Sequence, residues 1–390
     1  MAAPDFQALA QPGIQRLRAY DPGHDLVALR QRFARKGSAG VAEDKPPEAT
    51  ADGILIELGS NENTYGPSPR AREALLATLH ELHRYPDPLG GELKLALASY
   101  HGLDTAQILL GNGSHELLMM LAQVFAGSGT DVIASQYGFA VYALAAQAAG
   151  ANLRQAAAFA KEHVMPRGHN LAAIAAEIGS TARIVYLANP NNPTGTWFTT
   201  PELEAFLEQT PANVLVVVDE AYLEYVTDPE VTSALLLLEK FPNLVVARTF
   251  SKGYALAGLR VGFIAAHPEL VAVMERVRES FNVNLPALAA ARAALYDQDH
   301  LDWVCDNNAE ERVSLARQLR ARGLFVPDSQ TNFLLVDFGK DAAAIESDLV
   351  QRGVVLRPMA GYGLPTCLRV TVGTRDENRR LLQALDRVLP

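Results

Sequence analysis

The sequence predicts an α/β fold with a mostly parallel β-sheet, and two observations carry this prediction. From residue 54 onward, short apolar runs alternate with segments of helical periodicity, which is the pattern of βαβ units. The runs are also rich in β-branched residues, as expected for strands buried on both faces. The five clearest runs are 131–135, 183–188, 214–218, 244–247 and 261–266.

Polar clusters follow three of these runs. They are NPNNPTG at 189–195, DEAY at 219–222 and RTFSKGYALAGLR at 248–260. In open α/β sheets, ligands bind outside the carboxyl ends of the strands. We therefore expect the three clusters to converge on one crevice.

The pattern changes after about residue 285. Two helical segments, 286–297 and 302–322, precede strand-like runs at 332–338, 354–357 and 367–372, which predicts a smaller α+β domain. Before the first strands, residues 13–37 are helix-like and 38–52 have the composition of a surface loop. The predicted domains are an N-terminal arm and loop (1–52), a large domain (53–285) and a small C-terminal domain that packs with the arm (286–390).

Composition limits the classes of protein. The 390 residues carry 34 Lys and Arg against 44 Asp and Glu, and 49% are apolar, which excludes a mostly disordered or fibrous chain. A net charge of −10 without a basic cluster disfavours nucleic-acid binding. Cys305 and Cys367 are too few for a disulfide framework or a cysteine-based zinc site, and no metal is expected. With no membrane-length apolar run and no visible signal peptide, we expect a cytoplasmic enzyme.

Lys252 comes just after a predicted buried strand, and Asp219 lies at the end of another. A desolvated lysine near other cations, here with Arg260 eight residues later, has a lowered pKa and reacts with carbonyl groups. A carboxylate at the mouth of a buried strand can hold a proton on a pyridine nitrogen, as pyridoxal phosphate requires of its protein partner. The alternatives are a solvated surface lysine and an aspartate that caps a loop.

Two further motifs could bind polar groups. GNGSHE at 111–116 is a glycine-rich turn before an apolar helix, and the N–H groups at a helix N-terminus bind anions. The asparagines of NPNNPTG offer fixed amide donors and acceptors. Both are also ordinary turn sequences, so neither is specific by itself.

In this order and spacing, the motifs closely resemble those of fold-type-I pyridoxal-phosphate aminotransferases, and specifically of histidinol-phosphate aminotransferases. The resemblance covers nearly the whole chain and implies a seven-stranded, mostly parallel sheet in the large domain. Its landmarks are LRAYDPG (17–23), NENTYGPSP (61–69), RYPD (84–87), GNGSHE, NPNNPTG, DEAY, TFSK (249–252), ALAGLRVGF (255–263) and LRVTVGT (368–374).

The resemblance assigns pyridoxal 5′-phosphate as cofactor and implies three catalytic residues. Lys252 would carry the cofactor and shuttle protons, Asp219 would pair with the pyridinium nitrogen, and Tyr222 would hydrogen-bond the ring hydroxyl together with Asn192. The residues implied at the cofactor phosphate are Gly113, Ser114, His115, Thr249, Ser251 and Arg260. Arg260 is the strong contributor, because a guanidinium group matches phosphate geometry.

Two positions in this cofactor assignment need comment. Phe139 fits the aromatic residue that stacks on the cofactor ring, with Tyr137 as the competing candidate and a plain core aromatic as the alternative. His115 stands where many members of the family have an acidic residue. We therefore expect His115 to act only through its backbone N–H.

The resemblance also implies the substrate contacts and the assembly. Arg369 matches the arginine that binds the amino-acid carboxylate, and Arg357 matches the arginine that meets the substrate phosphate. Tyr20 and Tyr65 match tyrosines near the same phosphate, although Tyr20 could simply pack the arm. Asn192 is implied to bind the substrate as well. Tyr65 would come from the neighbouring subunit of a homodimer, so that each active site is shared between two chains.

The expected reaction is reversible transamination, in which L-histidinol phosphate and 2-oxoglutarate give imidazole-acetol phosphate and L-glutamate, a step of histidine biosynthesis. Aromatic aminotransferases and amino-acid-phosphate decarboxylases share the cofactor motifs and remain alternatives. A non-catalytic ligand-sensing regulator of the same fold is a remote alternative. The first 60 residues contain no convincing helix-turn-helix, and the presence of Lys252 and Asp219 favours catalysis.

Overall fold

The computed structural model describes residues 5–19, 23–31 and 55–389. Its strands are β1 Ile56–Glu57, β2 Ile108–Gly111, β3 Asp131–Ser135, β4 Asn152–Ala156, β5 Ala182–Ala188, β6 Leu215–Asp219, β7 Leu244–Thr249, β8 Gly262–Ala266, β9 Phe333–Asp337, β10 Val354–Val355, β11 Arg357–Pro358 and β12 Cys367–Thr371. Its α-helices include Phe6–Leu9, Pro12–Gln15, Pro69–Ala77, Gly91–His101, Ser114–Phe125, Ala140–Ala148, Leu171–Ala176, Thr200–Gln209, Pro268–Met274, Leu285–Leu295, Gln298–Ala321, Ala343–Gln351 and Arg375–Val388.

A seven-stranded central sheet confirms the predicted fold class. Its strand order is β2-β8-β7-β6-β5-β3-β4. The pairs from β7 to β4 are parallel, whereas β8 is antiparallel to both of its neighbours. The carboxyl ends of β3, β5, β6 and β7 therefore lie at one edge of the sheet, where the polar clusters were expected to meet.

Strand β6 explains why a continuous apolar run becomes a central strand. Val216 and Val218 pack into the core on one face of the sheet, and Val217 packs into the core on the other face. The first core includes buried residues of helix Leu285–Leu295, and the second includes those of helix Ser114–Phe125. Both faces are covered, so alternation of apolar and polar residues is not needed.

Strands β2 and β4 of the central sheet were not predicted. Strand β4, with the sequence NLRQA, lies at the sheet edge, and most of its side chains are exposed or half-buried. Its polar sequence therefore lacks the apolar run by which buried strands are recognised. Strand β2 lies at the opposite edge and has only four residues before the GNGSHE turn.

A second, antiparallel sheet of order β11-β12-β9 forms near the C-terminus. Together with helices Gln298–Ala321, Ala343–Gln351 and Arg375–Val388 it encloses a separate apolar core. Strand β1 pairs in parallel with β10 and contributes Ile56 to that core. Thus residues at the start of the predicted large domain are hydrogen-bonded to the C-terminal part of the chain.

The division of the chain at 53 and 286 stays a prediction. Helix Leu285–Leu295 begins at the second of these boundaries, but Ala287 and Leu288 are buried in the core of the central sheet. The separate apolar core beside the antiparallel sheet gathers residues from Leu315 onward, with Ile56 and Leu58. Packing alone would therefore put the change between the two cores further along the chain.

The N-terminal arm contacts both parts of the molecule. Gly13 packs so closely against helix Ala140–Ala148 that a Cβ would lie 2.2 Å from the Gln147 carbonyl oxygen. His24 is hydrogen-bonded to Glu346 of the C-terminal part. The helix predicted across 13–37 is wrong at 16–19 and 23–25, which are not helical. The sequence contains Pro22 within this stretch, and proline does not fit the interior of a continuous helix. Most of the remaining residues of the predicted arm, including the predicted loop at 38–52, fall outside the described residues.

Within residues 5–19, 23–31 and 55–389, no helix combines the length and the apolar character that crossing a membrane requires.

Candidate active site

A cavity of about 420 Å³ opens at the carboxyl edge of the central sheet. It lies beyond the ends of β5, β6 and β7, where the polar clusters begin. The predicted site residues that line it are Ser114, His115, Phe139, Asn192, Asp219, Tyr222, Thr249, Ser251, Lys252, Arg260 and Arg369. Side chains far apart in the sequence thus share one space.

The amine of Lys252 is held by backbone carbonyl groups. Its Nζ donates hydrogen bonds to the carbonyl oxygens of Asn61 at 3.1 Å and Ser60 at 3.4 Å. Burial, followed by the positive charge of Arg369, lowers the pKa of Lys252 to about 8. An amine with this pKa is partly neutral near neutral pH, and the neutral form is the nucleophile and the base.

Asp219 is the last residue of β6 and is only 4% exposed. The Tyr142 hydroxyl donates to its Oδ2 at 3.0 Å, and the Ala221 N–H donates to its Oδ1 at 3.2 Å. Burial raises the pKa of Asp219 to about 6, although both hydrogen bonds act in the opposite direction. The group therefore remains ionised near pH 7.

Tyr222 is oriented by Asn61. The Asn61 side-chain N–H donates to the Tyr222 hydroxyl oxygen at 2.9 Å. Because the amide nitrogen can only donate, the phenol oxygen is the acceptor, and its own proton is directed to a different group. The amine of Lys252 lies 5.7 Å from the centre of the Tyr222 ring.

A set of anion-binding groups lies at the start of helix Ser114–Phe125. Gly113 is the N-cap, with φ of +81°, and a Cβ there would lie 2.5 Å from the Arg260 guanidinium group. Arg260 Nη1 donates to Ser251 Oγ at 3.4 Å, and Thr249 Oγ1 donates to the same oxygen at 3.0 Å. A helix N-terminus, two hydroxyls and a guanidinium group form a donor set that suits a phosphate.

The remaining part of this turn is also close-packed. Gly262 of β8 lies against it, and a Cβ there would be 2.7 Å from the Ser114 backbone nitrogen. His115 lines the cavity beside Arg260, and burial followed by the Arg260 charge lowers the pKa of His115. This lowering favours the neutral imidazole over the imidazolium ion beside Arg260.

Phe139, and not Tyr137, is at the cavity. Phe139 lines it and makes an edge-to-face contact with Tyr142, with 5.9 Å between ring centres. Tyr137 packs into a separate apolar cluster with Met359 and Leu364. This geometry favours Phe139 as the aromatic residue beside a ring bound in the cavity.

Arg369 reaches the cavity from the second sheet. It lies on β12 and is 8% exposed. Its Nη1 donates to Asn192 Oδ1 at 2.6 Å, and its Nη2 donates to the Gly59 carbonyl oxygen at 2.7 Å. These contacts fix a cation beside Lys252, and Asn192 links that cation to the NPNNPTG turn.

Arg357 lies in a neighbouring cavity instead. It is directly opposite Arg369 in the β11–β12 pair, but it lines a second cavity of about 780 Å³ together with Arg16 and Arg18 of the arm. Phe139 belongs to the linings of both cavities, so the two spaces are adjacent.

Of the two predicted tyrosines, only Tyr65 is described, and it does not line the cavity. Tyr20 falls outside the described residues. Tyr65 packs against Trp303, with 5.3 Å between ring centres, and joins the apolar cluster of Tyr222 and Tyr225. Burial raises the pKa of Tyr65 to about 12. Trp303 beside it is half exposed.

Two residues that contact the site were not singled out from the sequence. Asn61 opens the NENTYG motif and adopts φ of +55°, a left-handed conformation that asparagine tolerates better than most residues. Tyr142 is the last residue of the segment YGFAVY at 137–142, which contains Phe139, and its hydroxyl donates to Asp219. The motifs are visible in the sequence, but these contacts span 161 and 77 residues, and neither pattern nor spacing predicts them.

The residues present fit pyridoxal phosphate. One cavity contains an amine of lowered pKa, a buried carboxylate that could pair with a pyridinium nitrogen, and the phosphate donor set around Arg260. Lys252 would bind the cofactor covalently, Asp219 would hold its ring nitrogen, and Ser114, Ser251 and Arg260 would hold its phosphate. The cavity volume is in the range of small-ligand sites.

Comparison with known proteins agrees with this fit. Residues 53–385 match the family model described as aminotransferase class I and II. The chain is 45% identical over 385 residues to histidinol-phosphate aminotransferase 2 of Pseudomonas aeruginosa, covering 99% of both chains. It is 43% identical over 392 residues to histidinol-phosphate aminotransferase 1 of Nitrosococcus oceani, covering 100% of this chain and 99% of the other.

A solved structure is similar over the same extent. The crystal structure of histidinol-phosphate aminotransferase from Sinorhizobium meliloti in complex with pyridoxal-5′-phosphate superposes with a TM-score of 0.84 at 31% identity. The match covers 97% of each chain. The predicted family, fold, cofactor and enzyme class are thereby confirmed, while the roles of single residues stay predictions.

Replacing Arg369 by leucine should raise the pKa of Lys252. The substitution removes a neighbouring positive charge that disfavours the ammonium form. The rate of Lys252 modification by an amine reagent, measured against pH in cofactor-free protein, should have a midpoint above about 8. The control is Arg292→Leu, which removes an exposed arginine paired with Glu92. A midpoint in Arg369→Leu equal to or below that of the control would contradict the assignment.

Proposed function

Because the chain belongs to the aminotransferase class I and II family, we propose that it transfers an amino group between L-histidinol phosphate and 2-oxoglutarate. The observation that carries the proposal is the convergence of Lys252, Asp219 and the Arg260 donor set on one cavity. The substrate is supported by full-length relatives that are named histidinol-phosphate aminotransferases. The reaction is a step of histidine biosynthesis.

The cofactor supplies the electron sink. Bound pyridoxal phosphate stabilises negative charge that develops at the substrate α-carbon. Lys252 would take the proton from the substrate α-carbon and deliver it to the cofactor carbon C4′. This role suits an amine with a pKa of about 8. Asn61 and Ser60 orient this amine through their carbonyl oxygens.

The other cavity residues keep the cofactor in its reactive form. Asp219, ionised near pH 7, holds a proton on the pyridine nitrogen, and this proton increases the capacity of the ring to accept charge. Tyr222 and Asn192, which line the same cavity, would hydrogen-bond the ring hydroxyl. Phe139 would stack on the ring and exclude water from it.

We assign the two arginines of the second sheet to different substrate groups. Arg369 binds the carboxylate of glutamate and 2-oxoglutarate, for which it is already held by Asn192 and Gly59. Arg357 binds the phosphate of histidinol phosphate. The second cavity supports this assignment, because Arg16 and Arg18 line it together with Arg357 and add positive charge to it.

We further propose a homodimer with shared active sites in the cytoplasm. Exposed apolar side chains recur along the segment that follows Tyr65, among them Leu76, Leu82 and Tyr85. Apolar surface of this extent favours burial against a partner, and a two-fold dimer is the commonest arrangement. Tyr65 would reach the phosphate site of the partner chain. The free thiols Cys305 and Cys367 suit a reducing compartment.

A substrate panel tests the reaction. L-Histidinol phosphate, phenylalanine, tyrosine and threonine phosphate are each assayed with 2-oxoglutarate, and histidinol phosphate should give the highest kcat/KM. A higher value with phenylalanine would make the protein an aromatic aminotransferase. Release of carbon dioxide from threonine phosphate without glutamate formation would make it a decarboxylase.

Arg357→Leu should slow the half-reaction with histidinol phosphate more than the half-reaction with glutamate. Loss of one charge-assisted hydrogen bond costs about 1.5–3 kcal/mol, or roughly ten- to a hundredfold. Arg369→Leu is the matched control and should show the reverse order, because histidinol phosphate has no carboxylate. Single-turnover rates with each donor measure both effects. Equal losses for both donors in Arg357→Leu would withdraw the phosphate assignment.

Co-expression of Tyr65→Phe and Lys252→Ala chains tests the shared site. If Tyr65 serves the partner chain, a mixed dimer contains one intact site, and random mixing restores up to about a quarter of all sites. Activity with histidinol phosphate should then exceed the average of the two variants assayed separately. If Tyr65 serves its own chain, no mixed dimer has an intact site, and activity stays at that average.

A further inference from the structure

The carboxylate of Asp219 has one side-chain partner among the described residues, the hydroxyl of Tyr142. That hydroxyl donates to Oδ2 at 3.0 Å, and the backbone N–H of Ala221 donates to Oδ1 at 3.2 Å. The backbone contact is inherent in the turn after β6. The Tyr142 contact depends on a side chain from helix Ala140–Ala148, on a different element of the fold.

The ring of Tyr142 is fixed on two sides. It is 1% exposed and is stacked on Tyr186, with 4.8 Å between ring centres and an interplanar angle of 1°. Phe139 contacts it edge-on at 5.9 Å. Tyr186 is itself anchored, because its hydroxyl donates to the Leu118 carbonyl oxygen at 2.7 Å. The Tyr142 hydroxyl is therefore held in place beside Asp219.

The charges around Asp219 make this donor important. Burial and the nearby Glu220 raise the pKa of Asp219, whereas the Tyr142 hydrogen bond, the Ala221 N–H and the positive charge of Lys252 lower it. Burial and Asp219 itself raise the pKa of Tyr142 well above its ordinary value, so the phenol keeps its proton and can only donate. A donated hydrogen bond stabilises the ionised carboxylate over the neutral acid.

We propose that Tyr142 is a positioning residue that keeps Asp219 ionised and oriented, so that Asp219 can hold the proton on the pyridine nitrogen of the cofactor. Tyr142 acts through Asp219 and does not need to touch the reacting atoms. The proposal rests on the fit of pyridoxal phosphate to the cavity and applies whichever amino donor the enzyme uses. Its failure is therefore separable from failure of the histidinol-phosphate assignment.

Tyr142→Phe tests the proposal, with Tyr186→Phe as the matched control. Each substitution removes one buried hydroxyl from the same stacked pair, but only the first removes a donor to Asp219. The protonation of the pyridine nitrogen is read by ¹⁵N NMR of labelled cofactor bound to each protein without substrate. Tyr142→Phe should shift the proton equilibrium away from the nitrogen by about tenfold, as expected for one hydrogen bond to a charged group. Tyr186→Phe should match the unsubstituted protein.

Kinetics give a second measurement on the same proteins. Tyr142→Phe should lower kcat with little change in KM, because the residue acts on the cofactor and not on substrate binding. Identical nitrogen signals in Tyr142→Phe and Tyr186→Phe would overturn the proposal. So would a loss of activity of equal size in both variants, since that result indicates a packing role.

An isosteric substitution covers the case in which Tyr142→Phe does not fold. Incorporation of 3,5-difluorotyrosine at position 142 retains the ring and makes the hydroxyl a stronger donor. The pKa of Asp219 in cofactor-free protein, followed by ¹³C NMR with Asp219→Asn for assignment, should then fall below its value in the unsubstituted protein. An unchanged pKa would also overturn the proposal.

Discussion

The site depends on one constraint, which is that two backbone carbonyl groups accept hydrogen bonds from the Lys252 amine and hold it in place. Neutral acceptors orient the amine without adding the negative charge that would stabilise its ammonium form. The segment that supplies them is held in turn by side-chain amides. Asn332 donates to the carbonyl oxygen of Asn61 at 3.1 Å, and Asn63 donates to that of Gly253 at 2.9 Å. Backbone carbonyl oxygens thus take the place of the ion pair that a surface lysine would make.

The same segment, residues 59–63, joins the two sheets into one site. The backbone N–H of Asn61 donates to Thr371 Oγ1 on β12, and the Gly59 carbonyl oxygen accepts from Arg369 of the same strand. Lys252 belongs to the loop after β7 of the central sheet. The amine and the guanidinium group are therefore positioned relative to one short piece of chain, although their strands belong to different cores.

The sequence predicted what depends on local pattern. Buried runs such as 214–218 identified the central strands, and Asp219 and Lys252 could be brought together because parallel strands end at one edge of a sheet. It did not predict β4, whose edge position allows polar residues, nor the contact of Tyr142 with Asp219, which depends on how a helix packs on the sheet. The sequence also did not predict that Arg357 lines a separate cavity, because residues paired on neighbouring strands need not line the same cavity.

The register of β11 against β12 connects the two cavities. Arg357 and Arg369 are directly opposite each other across this strand pair, yet each lines a different cavity. A slip of one residue in the pairing would turn every side chain of β11 to the other face of the sheet. Arg357 would then leave the second cavity, so the pairing of a strand of only two residues decides where this cation lies.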